Sequence, residues 1–160
     1  MSTKSFIINL PIITGDQDRR RLRKSFSFGC NLQNAVMGGG WDRVLQMRAT
    51  AEWQATRAMP KGRERTKAFR DLRVRFRLSE YDFHADVAMH RKASGRGHLL
   101  GINECQKLAS RAWISVERHL YNGGSPRFIS SRRGLHSIEG KTNRTGIIWK
   151  ADQQCVTVCK

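Results

Sequence analysis

The chain has 160 residues, enough for one ordinary domain or two small ones, and its formal net charge is +17. This excess is far beyond what solubility needs, so it predicts a polyanionic partner, with nucleic acid as the first candidate and an anionic membrane surface as the second. Because no apolar run approaches the roughly 20 residues of a membrane span and the N-terminus lacks the pattern of a signal peptide, we expect a cytoplasmic protein that does not enter a membrane.

The chain opens with a predicted strand and two predicted helices. Residues 4–13 are apolar enough to form a β-strand. The next helical pattern begins at Thr14, with Gln17 completing a capping box, and ends at the three glycines 38–40. A second helix covers about 41–58.

Three further helices are predicted after the first two. The third, about 63–77, has apolar residues at spacings of three and four and carries more cations than ion pairs within one helix use. Ser79 caps the fourth helix, with Asp82 in its first turn. Asn103 caps the fifth, with Gln106 completing a capping box. The fifth helix has the clearest apolar stripe, and Cys30 and Cys105 are predicted to be small core residues. The stripe consists of Cys105, Leu108, Ala109, Ala112, Trp113, Val116 and Leu120.

The last part of the chain returns to a strand pattern. The segment SPRFISSRRGLHSIEGKTNRTGIIWK places apolar residues among cations, which is typical of short strands with a basic face rather than of a disordered tail. Because a lone strand is not stable, the strand within residues 1–13 is expected to pair with these strands. We therefore predict an α+β fold, in which about five helices in residues 14–124 are inserted between residues 1–13 and the strands of residues 125–160.

The motifs that suggest an enzyme are weak. The stretch GLHSIEGKT (134–142) has one residue too many for a phosphate-binding loop, and a strand pattern follows it where a helix is required. Asp82 and Asp86 lie one helical turn apart, but no other acid converges on them as two-metal catalysis requires. Cys155 and Cys159 alternate with valines as in a strand, which fits a strand better than zinc. We therefore expect no metal and no cofactor.

Two alternatives remain open. Arg91 and His98 have an R-x6-H spacing, which some metal-independent ribonucleases place at a helix–helix seam, so a small ribonuclease is the enzymatic alternative. A basic RNA-binding or structural protein that binds without a guide is the other alternative.

Several segments together resemble a known family. They are the opening strand, KSFSFGCNLQNAV, TRAMPKGRERTKAFRDLR, LSEYDFHADV, NECQKLASRAWISVERHLY and SPRFISSRRGLHSIEGK. With them the chain resembles the N-terminal region of the TnpB family of transposon-encoded RNA-guided nucleases and of type V CRISPR effectors, and is most similar to the miniature type V-M branch. The last segment is the most specific.

The resemblance implies a fold and a set of partners. The strands would form a split wedge domain, an oligonucleotide-binding-like β-barrel, and the helices would form the recognition domain. The partners would be a guide RNA and target double-stranded DNA, in the cytoplasm of bacteria or in a phage. The family's RuvC-like nuclease domain has no counterpart in this chain, so the resemblance implies binding without cleavage. The nuclease would lie on the remainder of a longer protein or on another polypeptide.

The resemblance and the charge pattern name candidate site residues. By position in the family, Tyr81, His84, Asn103 and Gln106 would read a short DNA motif beside the target, although Asn103 and Gln106 would equally serve as helix caps. The residues expected to contact RNA phosphates are Arg19, Arg20, Arg21, Arg23, Lys24, Arg73, Arg77, Arg127, Arg132, Arg133, Lys141 and Arg144.

Overall fold

The computed structural model describes residues 13–140, 147–150 and 152–158. In this part of the chain there are five α-helices and one antiparallel pair of short strands. The helices are α1 (Asp16–Arg48), α2 (Ala51–Ala58), α3 (Arg63–Arg75), α4 (Glu80–Ala93) and α5 (Ile102–Glu117), and the strands are β1 (Ile147–Lys150) and β2 (Cys155–Val158).

The core lies where α1, α4 and α5 pack together. The predicted apolar stripe of α5 is confirmed, because its members are all buried: Cys105, Leu108, Ala109, Ala112, Trp113, Val116 and, just after the helix, Leu120. Burial is also the main cause that raises the pKa of the Cys105 thiol to about 11. Cys30 of α1 is buried as well, so the prediction that these two cysteines act as small core residues is confirmed.

The first helix differs from its prediction at both ends. Gly15, not Thr14, is the N-cap of α1, and no side chain caps the helix there. The helix also continues through the glycines at 38–40 as far as Arg48. Gly40 explains the continuation, because a Cβ atom at this position would lie 2.1 Å from Cζ of Phe83. The glycine lets α4 approach α1 closely, so tertiary packing outweighs its weak helix propensity.

Caps formed by residues near in sequence are predicted with mixed success. At α4 the prediction is confirmed: the Ser79 side chain accepts from the Asp82 amide, and the Asp82 side chain accepts from the Ser79 amide. At α5 it is wrong, because the helix begins at Ile102 after Gly101, which leaves Asn103 within the first turn.

The predicted split barrel is wrong for the described residues. They contain one two-stranded sheet, which does not close, and residues 125–140 form no strand at all. This segment, here called the strap, instead runs over the helices. The Asn34 side chain of α1 pairs with both backbone groups of Ile129, donating to its carbonyl at 2.8 Å and accepting from its amide at 3.0 Å. Leu135 packs at Gly29, where only the missing side chain leaves room.

The strap is also tied to α5. Arg111 donates to the Ser137 carbonyl at 2.8 Å and forms an ion pair with Glu139. The Arg111 hydrogen bond is the main cause that lowers the pKa of Glu139 below its ordinary value. The apolar residues of the strap are therefore used for packing on helices rather than for strand pairing, which is the physical reason that the barrel prediction fails. The strand predicted at residues 4–13 falls almost entirely outside the described residues.

Candidate nucleic-acid interface

Among the described residues, three acidic side chains lie in ion pairs that join one helix to another. Asp86 of α4 is buried and accepts from Nη2 of Arg43 on α1 at 2.6 Å. Glu52 of α2 accepts from Arg75 of α3 at 2.7 Å. The buried Asp86 thus helps to hold α1 and α4 together, whereas the Glu52–Arg75 pair is exposed on both sides and contributes less.

Two of the predicted phosphate-binding arginines belong to this internal set. Arg77 has a left-handed φ of 52° just after α3, and its guanidinium lies 3.6 Å from carboxylate oxygens of both Asp82 and Asp86. Arg73 lies 3.5 Å from Glu117 and donates through Nε to the carbonyl of Leu78 at 3.3 Å. Their contacts make both arginines structural ties between α3 and its neighbours.

The predicted cations of α1 lie together on its first turns. Arg20, Arg21, Arg23 and Lys24 are exposed, and we call them the α1 patch. Arg19 is exposed beside them and lies 3.7 Å from Asp16, a surface pair that contributes little. The α1 patch is therefore available to a polyanion.

The predicted cations of the strap are exposed but scattered. Arg127 lies near its start, while Arg132 and Arg133 lie at or beside the turn at 131–133. Lys141 and Arg144, the other two predicted phosphate contacts of this region, lie outside the described residues.

A groove between α2 and α3 is the main feature that the sequence prediction missed. Its floor and rim are formed by three aromatic rings from separate elements: Trp53 of α2, Phe69 of α3 and Tyr121, which follows α5. The rings of Trp53 and Tyr121 are nearly parallel, with 6.0 Å between centroids and 12° between planes. The groove has a volume of about 600 Å³, within the range of pockets that bind small ligands.

Arginines surround these rings. Arg57, Arg65, Arg70 and Arg73 line the α2–α3 groove. The Arg65 guanidinium lies 5.4 Å from the centre of the Phe69 ring, a cation–π contact. Burial and, after it, the positive charge of Arg57 lower the pKa of Arg48, which shows how closely like charges approach at this end of the molecule. The groove therefore combines stacking surfaces with positive charge.

A sequence signal for this groove does exist. Arg57 follows Trp53 by four residues, Phe69 follows Arg65 by four, and Arg73 follows Phe69 by four. Side chains four residues apart on a helix are neighbours, so each helix presents a ring beside a cation. The sequence alone does not show that the two helices face each other or that Tyr121 completes the set.

The predicted DNA-reading residues lie along the seam of α4 and α5. Tyr81 is 84% exposed and its ring centre lies 6.1 Å from that of His84. His84 Nε2 lies 3.0 Å from Oγ of Ser110 on α5, and Ser110 in turn donates to Glu80. Gln106 precedes Ser110 by one helical turn on the same face. Tyr81, His84 and Gln106 thus follow one seam, and Asn103 lies a further turn toward the start of α5.

Arg91 and His98, the two residues of the ribonuclease alternative, lie at the end of α4 and in the loop that follows it. Arg91 Nε donates to the carbonyl of Leu100 at 2.9 Å, and Nη2 donates to the carbonyl of Gly97. These bonds fold the loop between α4 and α5 back onto α4. His98, in the same loop, is exposed. The guanidinium of Arg91 is thus engaged by backbone carbonyls.

No protein family, no curated protein and no solved structure matches this chain. Among residues 13–140, 147–150 and 152–158, no group of three or more histidines, cysteines and acids could hold a metal ion. None of the helices in this part of the chain is long and apolar enough to cross a membrane.

Proposed function

We propose that this chain is a nucleic-acid-binding module, with RNA as its first partner, and that it acts in the cytoplasm. The observation that carries the proposal is the division of charge. Acids such as Asp86, Glu52 and Glu117 are used in ties between helices, while the α1 patch and the α2–α3 groove present arginines to solvent.

The physical reason is the cost of leaving this charge without a partner. A net charge of +17 on a small domain is self-repulsive and destabilises the compact state. A phosphate backbone removes the repulsion and releases its own condensed counterions, which makes binding favourable and dependent on salt. The groove contains aromatic rings beside the cations, which favours nucleic acid over an anionic membrane surface as the partner. A nucleobase can enter the groove and stack on the rings, whereas a flat membrane surface cannot reach them.

The first prediction is a steep salt dependence that maps to named residues. If about six phosphates are neutralised, the logarithm of the RNA association constant falls with the logarithm of salt at a slope of roughly −4 to −5. The double variants Arg20→Glu/Arg21→Glu and Arg57→Glu/Arg70→Glu are each expected to weaken binding and to reduce this slope by about 1 to 2. Fluorescence anisotropy with a labelled RNA at several salt concentrations measures both quantities.

A charge-matched variant controls for general electrostatics. Lys92→Glu/Arg96→Glu makes the same change in net charge at the C-terminal end of α4 and in the loop that follows. The Ser25 hydroxyl donates to the Leu99 carbonyl of this loop at 2.8 Å, so the changed cations lie near the α1 patch, at the other end of α1 from the groove. At physiological salt the Debye length is about 8 Å, so the variant is the control for Arg57→Glu/Arg70→Glu and is expected to leave binding at the groove unchanged. A flat salt profile, or unchanged RNA affinity in both Arg20→Glu/Arg21→Glu and Arg57→Glu/Arg70→Glu, would contradict the proposal.

We propose further, on the resemblance to RNA-guided effectors, that the bound RNA is a guide and that Tyr81, His84, Asn103 and Gln106 contact DNA beside a target. The exposed Tyr81 ring beside His84 on the α4–α5 seam supports a contact surface there. The cleaving RuvC-like domain would then belong to another part of the effector, and this chain would have no nuclease activity of its own.

The second prediction separates guided from unguided binding. RNA that copurifies with the full chain from its natural host is expected to be one discrete species, because a guide scaffold is recognised by its shape. Sequencing of the copurified RNA measures this. A mixture that follows the abundance of cellular RNAs would contradict the guided role and leave a general RNA-binding protein.

A further inference from the structure

We propose that the α2–α3 groove binds an unpaired nucleotide, with the base stacked on Tyr121 and the adjacent phosphate held by Arg57, Arg65 and Arg70. This inference rests on the proposed function and adds the kind of strand that the groove selects. Four observations support it: the geometry of the ring stack, its rigid support, a buried donor without a partner, and the charge of the rim.

The ring stack leaves one face for a ligand. Trp53 is 3% exposed, whereas Tyr121, whose ring is nearly parallel to it, is 45% exposed. At 6.0 Å between centroids Trp53 overlaps Tyr121 only in part, and Phe69 also packs on Tyr121, so we infer that the exposed part of the residue includes the ring face turned away from Trp53. A flat nucleobase placed on that face would extend the existing stack, and every base has such a π-face to offer.

The stack is held in place before any ligand arrives. Phe69 meets Tyr121 edge to face at 5.1 Å and meets Trp53 in the same way at 5.2 Å. Arg48, at the end of α1, donates to the carbonyls of Leu120 at 3.2 Å and Asn122 at 2.7 Å, the residues on either side of Tyr121. Because the backbone and the ring are both fixed, a ligand that binds there does not have to order them.

A buried donor in the groove has no partner. The Nε atom of Arg65 is inaccessible to solvent and makes no hydrogen bond to any of the described residues. An unsatisfied buried N–H is costly, and a guanidinium is well suited to a phosphate oxygen. Because Nε is buried beside the Phe69 ring, a phosphate oxygen reaches it only if the Arg65 side chain shifts, and otherwise Arg65 contributes its positive charge to the wall of the groove.

The charge of the rim favours a polyanion over a neutral ligand. Besides Arg65, the groove is lined by Arg57, Arg70 and Arg73. Arg73 is engaged by Glu117, and Arg70 has only a surface contact of 3.9 Å with Asp71, so Arg57, Arg65 and Arg70 supply the positive charge. An acidic peptide would use these cations but not the ring stack.

The strand must be unpaired. In a duplex each base is stacked between its neighbours and its faces are not available, whereas an unpaired nucleotide can turn out and stack on a side chain. The groove therefore selects single-stranded segments, loops or ends. A duplex can still contact the α1 patch and the rim through its phosphates.

The third prediction tests this selection in the full chain with two labelled RNAs: an unstructured ten-nucleotide RNA and a fully paired RNA duplex. Tyr121→Leu is expected to weaken binding of the single strand by about five- to 150-fold, which corresponds to about 1–3 kcal/mol for one stacked base. Duplex affinity and the salt slope are expected to stay unchanged. Tyr121→Phe keeps the ring and is expected to bind both RNAs as the unaltered chain does.

A second variant keeps the test valid if Tyr121→Leu disturbs the fold, which thermal unfolding followed by circular dichroism would show. Arg65→Gln leaves the three rings in place and is expected to weaken the single strand about tenfold, while Arg96→Gln in the loop between α4 and α5 is its charge-matched control. Equal loss for single strand and duplex, an unchanged single-strand affinity in both groove variants, or a glutamate-rich peptide that competes and is insensitive to Tyr121→Leu would each overturn the inference. Failure of the unaltered chain to bind either RNA in a salt-dependent way would instead overturn the proposed function.

Discussion

Some arginines of this chain pair with carboxylates inside the fold and others keep an unneutralised charge, and the neighbouring groups determine which role each has. Arg77 lies between Asp82 and Asp86 and thereby closes the end of α3 onto α4. Asp86 is buried and also faces Arg43, so its removal would leave Arg43 without its counter-charge and Arg77 with Asp82 alone, at a cost of several kcal/mol. Such an arginine cannot change partners for a phosphate without loss of stability.

Arg65 is the opposite case, because its guanidinium lies over the Phe69 ring rather than beside a carboxylate. A cation–π contact fixes the orientation of the group but leaves its charge unneutralised. The residue type is the same and both arginines lie at or near α3, so composition alone could not separate the structural arginines from those that are available for binding.

At the scale of the elements, alanine substitutions at two glycines of α1 distinguish the effect of helix propensity on stability from the effect of packing. The fourth prediction is that Gly39→Ala stabilises the protein and Gly40→Ala destabilises it. A Cβ at Gly39 meets nothing within 4 Å, so alanine there gains about 0.5–1 kcal/mol of helix propensity. A Cβ at Gly40 would overlap the buried Phe83 ring, and overpacking of this kind costs about 1–3 kcal/mol.

Urea denaturation of the two variants and the unaltered chain measures this difference. The ring of Phe83 has little freedom to move away, since it packs edge to face on Trp113 at 5.3 Å. If both alanines were stabilising by the same amount, α4 would not approach α1 as closely as described, and the reason given for the continuous helix would be wrong. Both changes are glycine to alanine within one helix, so neither alters the charge and both gain the same intrinsic helix propensity.

Elements defined by local sequence could be predicted, and those defined by distant contacts could not. The apolar stripe of α5 and the Ser79 cap of α4 follow from residues close in sequence, and both are confirmed. The break expected at the glycines 38–40 is wrong because Phe83, far along the chain, requires a glycine there. The pattern of apolar residues among cations predicts strands in the strap. That prediction is wrong because these apolar residues pack on the helical core, a contact that local sequence does not show.

The candidate site shows the same division between local and distant information. The exposed cations of the α1 patch were identifiable because they are consecutive and belong to one helix. The ring stack of the groove joins residues 53, 69 and 121 from three elements, so no window of the sequence contains it. The contact surface that we propose is therefore the α2–α3 groove, and not the basic strands that the sequence predicted.

At the scale of the whole molecule, the two basic surfaces lie at opposite ends of α1. This helix has 33 residues and is therefore about 50 Å long. The α1 patch is on its first turns, and the groove adjoins its last residue, Arg48, whose pKa responds to Arg57. From Arg21 to Arg48 the distance along the axis is about 40 Å, so a short nucleic acid cannot reach both surfaces.

The fifth prediction is a threshold in length. At 3.4 Å per base pair, a DNA duplex of about 12 base pairs covers 40 Å. Duplexes of 8 base pairs are expected to bind through one surface, while those of 16 or more engage both, and the second contact then benefits from a high effective concentration. The association constant, corrected for the number of registers on each duplex, is expected to rise more than tenfold between these lengths.

The α1 patch supplies the control for this threshold. Arg20→Glu/Arg21→Glu removes one of the two surfaces, so its affinity for long duplexes is expected to fall to that for short ones, while its affinity for the 8-base-pair duplex changes much less. Titration calorimetry gives the stoichiometry alongside the affinity. An association constant that rises smoothly with the number of binding positions on the duplex would show that the surfaces act independently. Two proteins bound at opposite ends of one 16-base-pair duplex would show the same. A step that disappears in the variant would show that one nucleic acid spans the length of α1.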